Sequence, residues 1–280
     1  MKAKIKDWLI RTGYPLELFV YEYFLKKKYL CDKSSIYSDI ESGTKREIDV
    51  TAYQHGPSFE ACSYSLQLLI ECKKSDKPLL VLAEDKSSER YEQFFGNDVF
   101  VDLSLPGLFA YSHLKEQTKA ERRKNIGLFS DSVPLGYSII PAFEKSDNKI
   151  YKGIMGLTKA NEYYRSEHKV FFDSIRSKEI PEIDFLLLMP LLVIDAPLYT
   201  VSIDNDGELQ VTETDWASLT VHLPWNLGKS DSERKCNIQV IKKEKLDDVV
   251  CSIENLLHYI SSEEFSLRAV KCLIKEDNAT

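Results

Sequence analysis

Cysteine and histidine are scarce in this chain of 280 residues, with 6 and 5 respectively, and neither is arranged as a motif. Cys31, Cys62, Cys72, Cys236, Cys251 and Cys272 form no CxxC pair, and the histidines show no HxxxH or HExxH spacing. A zinc centre is therefore not expected, and the cysteines read as reduced thiols of a cytoplasmic protein rather than a disulfide framework. Long hydrophobic runs are missing too. The longest, around residues 185–194, is interrupted by Pro190 and is too short to cross a bilayer, so no membrane partner is expected. The N-terminal MKAKIKDWLIRTG has no long apolar stretch and no small-residue cleavage site, and so does not read as a signal peptide. Gly153 and Gly156 are not followed by Lys-Ser/Thr, which argues against a phosphate loop and an ATPase. No internal repeat or low-complexity segment is present.

Positive charge is also in short supply. Lys and Arg number 37 against 44 Asp and Glu, a formal net charge of -7. Proteins that bind nucleic acid draw most of their non-specific affinity from cations on phosphates, so this balance points to weak or partner-assisted binding. Local clusters exist at Lys26–Lys28, Lys45–Arg46, Lys73–Lys77 and Arg122–Lys124, and bound divalent cations would add to them. Each short cluster taken singly reads as solvated surface; those at Lys26 and Lys45 suggest a nucleic-acid-facing side.

A hydrophobic content of 43% with 11% aromatics suits a globular core. Pro15 sits where a helix's first turn tolerates it, and Leu16, Phe19, Val20, Tyr23 and Phe24 follow the i, i+3, i+4, i+7, i+8 pattern of an apolar helical face running to about Lys28. A strand is expected near Ser35–Ile40. Across Arg46–Tyr53, Ile48, Val50 and Ala52 alternate with Glu47, Asp49 and Thr51, the period-2 signature of a strand. Ser65–Lys73 forms the returning strand of an antiparallel hairpin, and Leu79–Ala83 a short buried strand. The stretch of about 84–150 has mixed signals and reads as an insertion. A helix over about Lys152–Arg176, strands at Phe185–Val193, Leu198–Ile203 and Asn237–Ile241, and a helix at Leu246–Ile260 follow. The order predicts a single α/β domain over 1–280, a mixed sheet flanked by helices. Its core is about 12–83 and 152–203, with a C-terminal elaboration over about 204–280.

The hairpin carries the chemistry. On its second strand Leu66, Leu68, Ile70 and Cys72 point one way, and Gln67, Leu69, Glu71 and Lys73 the other. Glu71 and Lys73 are thus neighbours on one face, and hairpin pairing brings Asp49 beside Glu71. Two carboxylates at the ends of apolar strands are costly to desolvate, and a divalent cation offsets that cost. Mg²⁺ or Mn²⁺ fits such a donor set, with the backbone carbonyl of Cys72 as a further oxygen. A metal there polarises a phosphodiester and acidifies bound water, and Lys73 can orient that water or stabilise phosphoryl charge. On the preceding helix Glu17 falls at the edge of the buried stripe, facing the sheet, whereas Glu22 falls on the solvent side.

An acidic residue opening the first helix (GYPLE), an Asp in a strand (REIDV) and Glu-x-Lys in the next (LLIECKKSDKPLLVL) resemble, in that order, the PD-(D/E)XK nuclease superfamily. The likeness is nearest to its Holliday-junction-resolvase and type IV restriction-like branches, and covers residues 12–83 best. It implies a restriction-endonuclease-like core with an insertion and Mg²⁺- or Mn²⁺-dependent hydrolysis of DNA. By the same resemblance Asp49 and Glu71 hold the metal, Lys73 serves the attacking water and Glu17 assists. Ile48 stands where the family's motif has proline, and no convincing Gln-x-x-x-Tyr helix follows, although Glu89–Phe95 lies near its place. A nuclease-fold scaffold that binds nucleic acid or protein without cutting is the alternative, and a homodimer or an activating partner is compatible with either. Trp216 and Trp225, with His222 and Pro224, read as packing rather than a base-stacking surface. The stripe Val249, Ile253, Leu256, Leu257 and Ile260 reads as core.

Overall fold

The computed structural model describes residues 1–56, 62–83, 99–101, 133–143, 148–175, 183–222 and 235–261. Two short helices open the chain, α1 (Lys2–Ile10) and α2 (Tyr14–Lys26). Then come β1 (Leu30–Ser38), β2 (Lys45–His55), β3 (Cys62–Lys74), β4 (Leu79–Ala83), β5 (Val99–Val101) and β6 (Leu135–Pro141). The long helix α3 (Asn148–Ile175) precedes β7 (Ile183–Asp195), β8 (Leu198–Ile203), β9 (Leu209–Glu213), β10 (Trp216–His222), β11 (Lys235–Lys242) and the closing helix α4 (Leu246–Ile260).

All these strands join one mixed sheet in the order β1-β2-β3-β7-β11-β10-β6-β4-β8-β9, with β5 also paired to β7. The β1-β2-β3 meander is antiparallel, whereas β3, β7 and β11 run parallel to one another. The sheet is therefore mixed, with helices on both faces, as expected from the order of elements. Residues 84–150, read from sequence as an insertion, contribute β5 and β6, and β6 lies inside the sheet between β4 and β10. Residues 204–261 likewise supply β9, β10, β11 and α4 to the same layers.

The central strands are buried on both sides, which is why they read as nearly continuous apolar runs. On β7, Leu187, Met189, Leu191 and Val193 join the core under α2 and α4. Leu186, Leu188, Leu192 and Ile194 join the core under α3. Pro190 has no N–H to give a ladder. It pairs with Leu69 of β3 on one side, and on the other falls between the end of the β5 pairing at Leu187 and the start of the β11 pairing at Leu191. That gap lets a proline sit within a central strand.

On α2 the buried residues are Leu16, Val20 and Phe24. Phe19, expected on the apolar face, is 48% exposed, because the stripe facing the sheet is narrower than the sequence pattern allowed. On α4, Val249, Ile253 and Leu257 are buried core, as expected. Among the described residues, Cys31, Cys72, Cys236 and Cys251 are free thiols, and no helix is long and apolar enough to cross a membrane.

Candidate active site

β3 alternates as its sequence predicts. Tyr64, Leu66, Leu68, Ile70 and Cys72 pack under α2 and α4, and Leu69 packs under α3. Glu71 and Lys73 share the parity of Leu69 and meet α3 at Gly153. A Cβ there would stand 2.9 Å from Lys73 Cε and 3.3 Å from Glu71 Cγ. Any larger residue there would have to displace the Lys73 or Glu71 side chain.

Asp49 reaches the same place from β2 by a different device. Period 2 would put Ile48, Val50 and Ala52 on one face, yet Val50 and Ala52 lie in the core under α2 and α4 whereas Ile48 lies in the core under α3. The alternation slips at Asp49. Opposite it, the β1–β2 pairing omits Ser34, which has a φ of 53°. The β2–β3 pairing runs from His55↔Ser65 to Val50↔Ile70. Just beyond it, the Cys72 N–H donates to Asp49 Oδ2 at 2.8 Å, so a side-chain carboxylate takes the place of a backbone acceptor.

Lys73 links the two acids. Its Nζ donates to Glu71 Oε1 at 2.5 Å and to the Cys72 carbonyl at 3.2 Å, and stands 3.8 Å from Asp49 Oδ2. The three side chains are only 12% (Glu71), 18% (Asp49) and 22% (Lys73) exposed. Burial, then the neighbouring Asp49 charge, pushes the Glu71 carboxyl up to about 7. Asp49 is also raised, chiefly by burial, against the opposing pull of Lys73 and the Cys72 N–H. Burial alone would lower Lys73, but the Glu71 and Asp49 charges outweigh it and hold the ammonium charged. Glu17, half-buried on α2, is raised by burial and then by Asp49, with Lys73 pulling the other way. It is within electrostatic reach of the hairpin trio, while Glu22 is exposed. The sequence thus placed both helix carboxylates correctly.

The cluster holds three carboxylates and one ammonium, an excess of buried negative charge that a cation would relieve. Among the described residues no set of three or more His, Cys, Asp or Glu side chains converges as a metal-binding group. The oxygens on offer are the two carboxylates Asp49 and Glu71 and the Cys72 carbonyl, and Mg²⁺ requires no more protein ligands than these. The donor chemistry fits. Lys73 now occupies the carbonyl and one carboxylate oxygen, so a bound cation would require its Nζ to swing aside.

Around the trio, sequence reasoning missed a supporting network. Asp39, fully buried, accepts from Arg46 Nε at 2.7 Å, from Lys159 Nζ at 2.8 Å and from the Glu41 N–H at 3.1 Å. Lys159 lies on α3, so this network ties the β1–β2 turn to the helix that carries Gly153. Tyr37, also buried, donates to the Gly156 carbonyl at 3.0 Å on the same helix. Burial raises its hydroxyl to about 12. A buried Asp followed by Arg46 across a turn was the signal available in the sequence.

Two of the basic clusters read as solvated surface are in fact engaged: Arg46 by Asp39, and Lys27 by Asp247 at 3.1 Å. Trp216 is half-buried against the core, its Nε1–H donating to Gln239 at 2.9 Å, which is packing as expected. Pro224, Trp225, Glu89–Phe95 and Arg122–Lys124 lie outside the described residues. No family model matches the chain, and neither a curated protein nor a solved structure is significantly similar to it.

Proposed function

We propose that this protein is a metal-dependent nuclease of the PD-(D/E)XK type, hydrolysing phosphodiester bonds of DNA with Mg²⁺ or Mn²⁺. The observation that carries the reading is the convergence of Asp49, Glu71 and Lys73 on one point of a bent hairpin, with Lys73 Nζ in salt-bridge range of both carboxylates. A restriction-endonuclease-like core is supported by the antiparallel β1-β2-β3 meander, the parallel β3–β7 step and helices on both faces. Asp49, Glu71 and the Cys72 carbonyl would hold the cation, which would supply Lewis acidity toward a phosphoryl oxygen and acidify a water. Without a cation, burial and the neighbouring Asp49 charge raise the Glu71 carboxyl to about 7, so the negative charge concentrated here favours holding a cation. Lys73, released from Glu71, donates hydrogen bonds to the attacking water or the phosphoryl oxygens as charge develops there. Glu17 adds negative charge beside Asp49 and helps hold the cation.

One observation favours a second reading, a non-cutting scaffold for nucleic acid or a protein partner. Lys73 already satisfies Glu71 and the Cys72 carbonyl, which makes the trio a closed ion cluster without a metal. Cleavage of plasmid and linear DNA with Mg²⁺ or Mn²⁺ separates the two. The nuclease reading expects cutting by the wild-type protein that is lost in Asp49→Ala and in Lys73→Ala. Cutting that persists in both variants would remove the site. No cutting, together with no binding of Mg²⁺ by calorimetry, would leave the scaffold.

A further inference from the structure

The first helix is largely exposed and rich in positive charge. α1 buries none of its residues. Lys2, Lys4, Lys6 and the capping Arg11 face a single acid, Asp7, in a protein of net charge -7. Several cations elsewhere are held in ion pairs, as Lys27 is with Asp247, Arg46 with Asp39 and Lys242 with Asp215. No such pair forms at Lys4 or Arg11 among the described residues. Trp8 lies four residues after Lys4 and three before Arg11, so all three share one helical face. Trp8 is 60% exposed and Leu9, the half-buried residue of the helix, points away from that face. An exposed indole bracketed by two unpaired cations has the chemistry of a base-stacking platform with phosphate contacts on either side.

Position gives this face a purpose. Lys74, next to Lys73 on β3, donates from Nζ to the Ile10 carbonyl at 2.6 Å and so fixes the end of α1 against the catalytic strand. The corner between α1 and α2 abuts Glu17, whose Oε1 is 3.4 Å from where a Cβ on Gly13 would stand. The apolar and basic residues of α1 are interspersed rather than divided between two faces, unlike a helix that lies in a membrane interface.

We infer that the Lys4–Trp8–Arg11 face of α1 grips single-stranded nucleic acid, stacking a base on Trp8 and leading the strand toward Asp49, Glu71 and Lys73. Its link to cleavage rests on the nuclease reading, but binding itself does not. Trp8→Ala changes no buried residue and removes the platform. Trp8→Phe keeps a smaller one.

The test is fluorescence anisotropy of a labelled oligothymidylate with the full chain in EDTA, where no cutting occurs. Trp8→Ala is expected to weaken binding about fivefold or more, with Trp8→Phe recovering most of the loss. Lys4→Ala/Arg11→Ala is expected to reduce the salt slope by about 1.4, the value for two lost single-strand phosphate contacts. Wild-type protein that binds the oligonucleotide through Trp8 but cuts no DNA when Mg²⁺ or Mn²⁺ is supplied would sink the nuclease reading alone. Oligonucleotide binding indifferent to Trp8 and to the two cations would overturn the inference. So would Trp8-dependent association with phosphatidylserine vesicles, or a Trp8-dependent dimer, if oligonucleotide binding were absent.

Discussion

The Cys72 backbone N–H donates to the Asp49 carboxylate at 2.8 Å, just beyond the last backbone pair of the β2–β3 ladder, Val50↔Ile70. Asp49 thus has two jobs: it ends the ladder as an acceptor, and it brings negative charge to Glu71 and Lys73. Substitution separates them. Asp49→Asn keeps an acceptor for Cys72 and should unfold within about 1 kcal/mol of wild type in urea. Asp49→Ala leaves the buried N–H without a partner and should lose about 1–3 kcal/mol. Both variants should be inactive in DNA cleavage. Equal stability of the two would show that the bond to Cys72 contributes nothing.

Protonation of the site is expected to set the pH dependence of stability. The folded Glu71 carboxyl is raised from its ordinary 4.5 to about 7, so between those values the folded chain binds more protons than the unfolded one. Stability from this group is full below about pH 4.5 and is lost as pH rises toward 7. Glu71→Gln should therefore gain of order 1–3 kcal/mol relative to wild type at pH 8, and little at pH 5. Thermal melts at the two values read this directly. A Glu71→Gln variant that loses stability at pH 8 would mean that the ion pair with Lys73 outweighs the burial of the carboxylate.

Mg²⁺ should act in the same window with the opposite sign. Because a cation binds the deprotonated carboxylates, millimolar Mg²⁺ should raise the melting temperature more at pH 8 than at pH 5. The shift should vanish in Asp49→Asn/Glu71→Gln. A shift of equal size in that double variant would place the cation elsewhere.

Gly153 is expected to be a positioning residue for Lys73. A methyl at 2.9 Å from Lys73 Cε and 3.3 Å from Glu71 Cγ must move one of them. Within a helix, however, alanine is favoured over glycine by roughly 1 kcal/mol. Gly153→Ala should hence hold its thermal stability while losing about tenfold or more in cleavage rate. Unchanged rate would mean that Lys73 adapts without cost.

The Asp39 network should matter for stability rather than chemistry. Asp39→Ala would leave Lys159, 14% exposed, with the Glu41 carboxylate and would strand the Glu41 N–H, at a cost of about 1–3 kcal/mol in chemical denaturation. Arg46, 47% exposed, can turn to solvent and adds little. Residual cleavage per folded molecule should stay within a few-fold of wild type. A collapse in rate without a loss of stability would make the network part of the site.

Much of this was legible from local pattern. Period 2 put Glu71 and Lys73 on one face of β3, and helical spacing put Glu17 toward the sheet and Glu22 in solvent, because both rules depend only on backbone geometry. Asp49 was placed beside Glu71 by hairpin pairing, but the slip that lets Ile48 and Val50 enter opposite cores was not, since it arises where β1 offers Ser34 with positive φ. The same limit applied to Phe19, whose exposure depends on how α2 sits on the sheet.

The sequence by itself determined α2, α3, α4, the β2–β3 hairpin, the apolar strands buried on both faces and the carboxylate–lysine grouping, all of which follow from residues a few positions apart. α1, β5, β6, β9 and β10 were not predicted, and β1 runs over Leu30–Ser38 rather than Ser35–Ile40. Tertiary structure alone decided that β6 enters the sheet between β4 and β10, that Gly153 of α3 closes over Lys73, that Asp39 ties the β1–β2 turn to Lys159, and that Ile10 of α1 is fixed to Lys74. These contacts join segments tens of residues apart or more. No periodicity encodes them; they are selected by which surfaces pack best once the whole chain has collapsed.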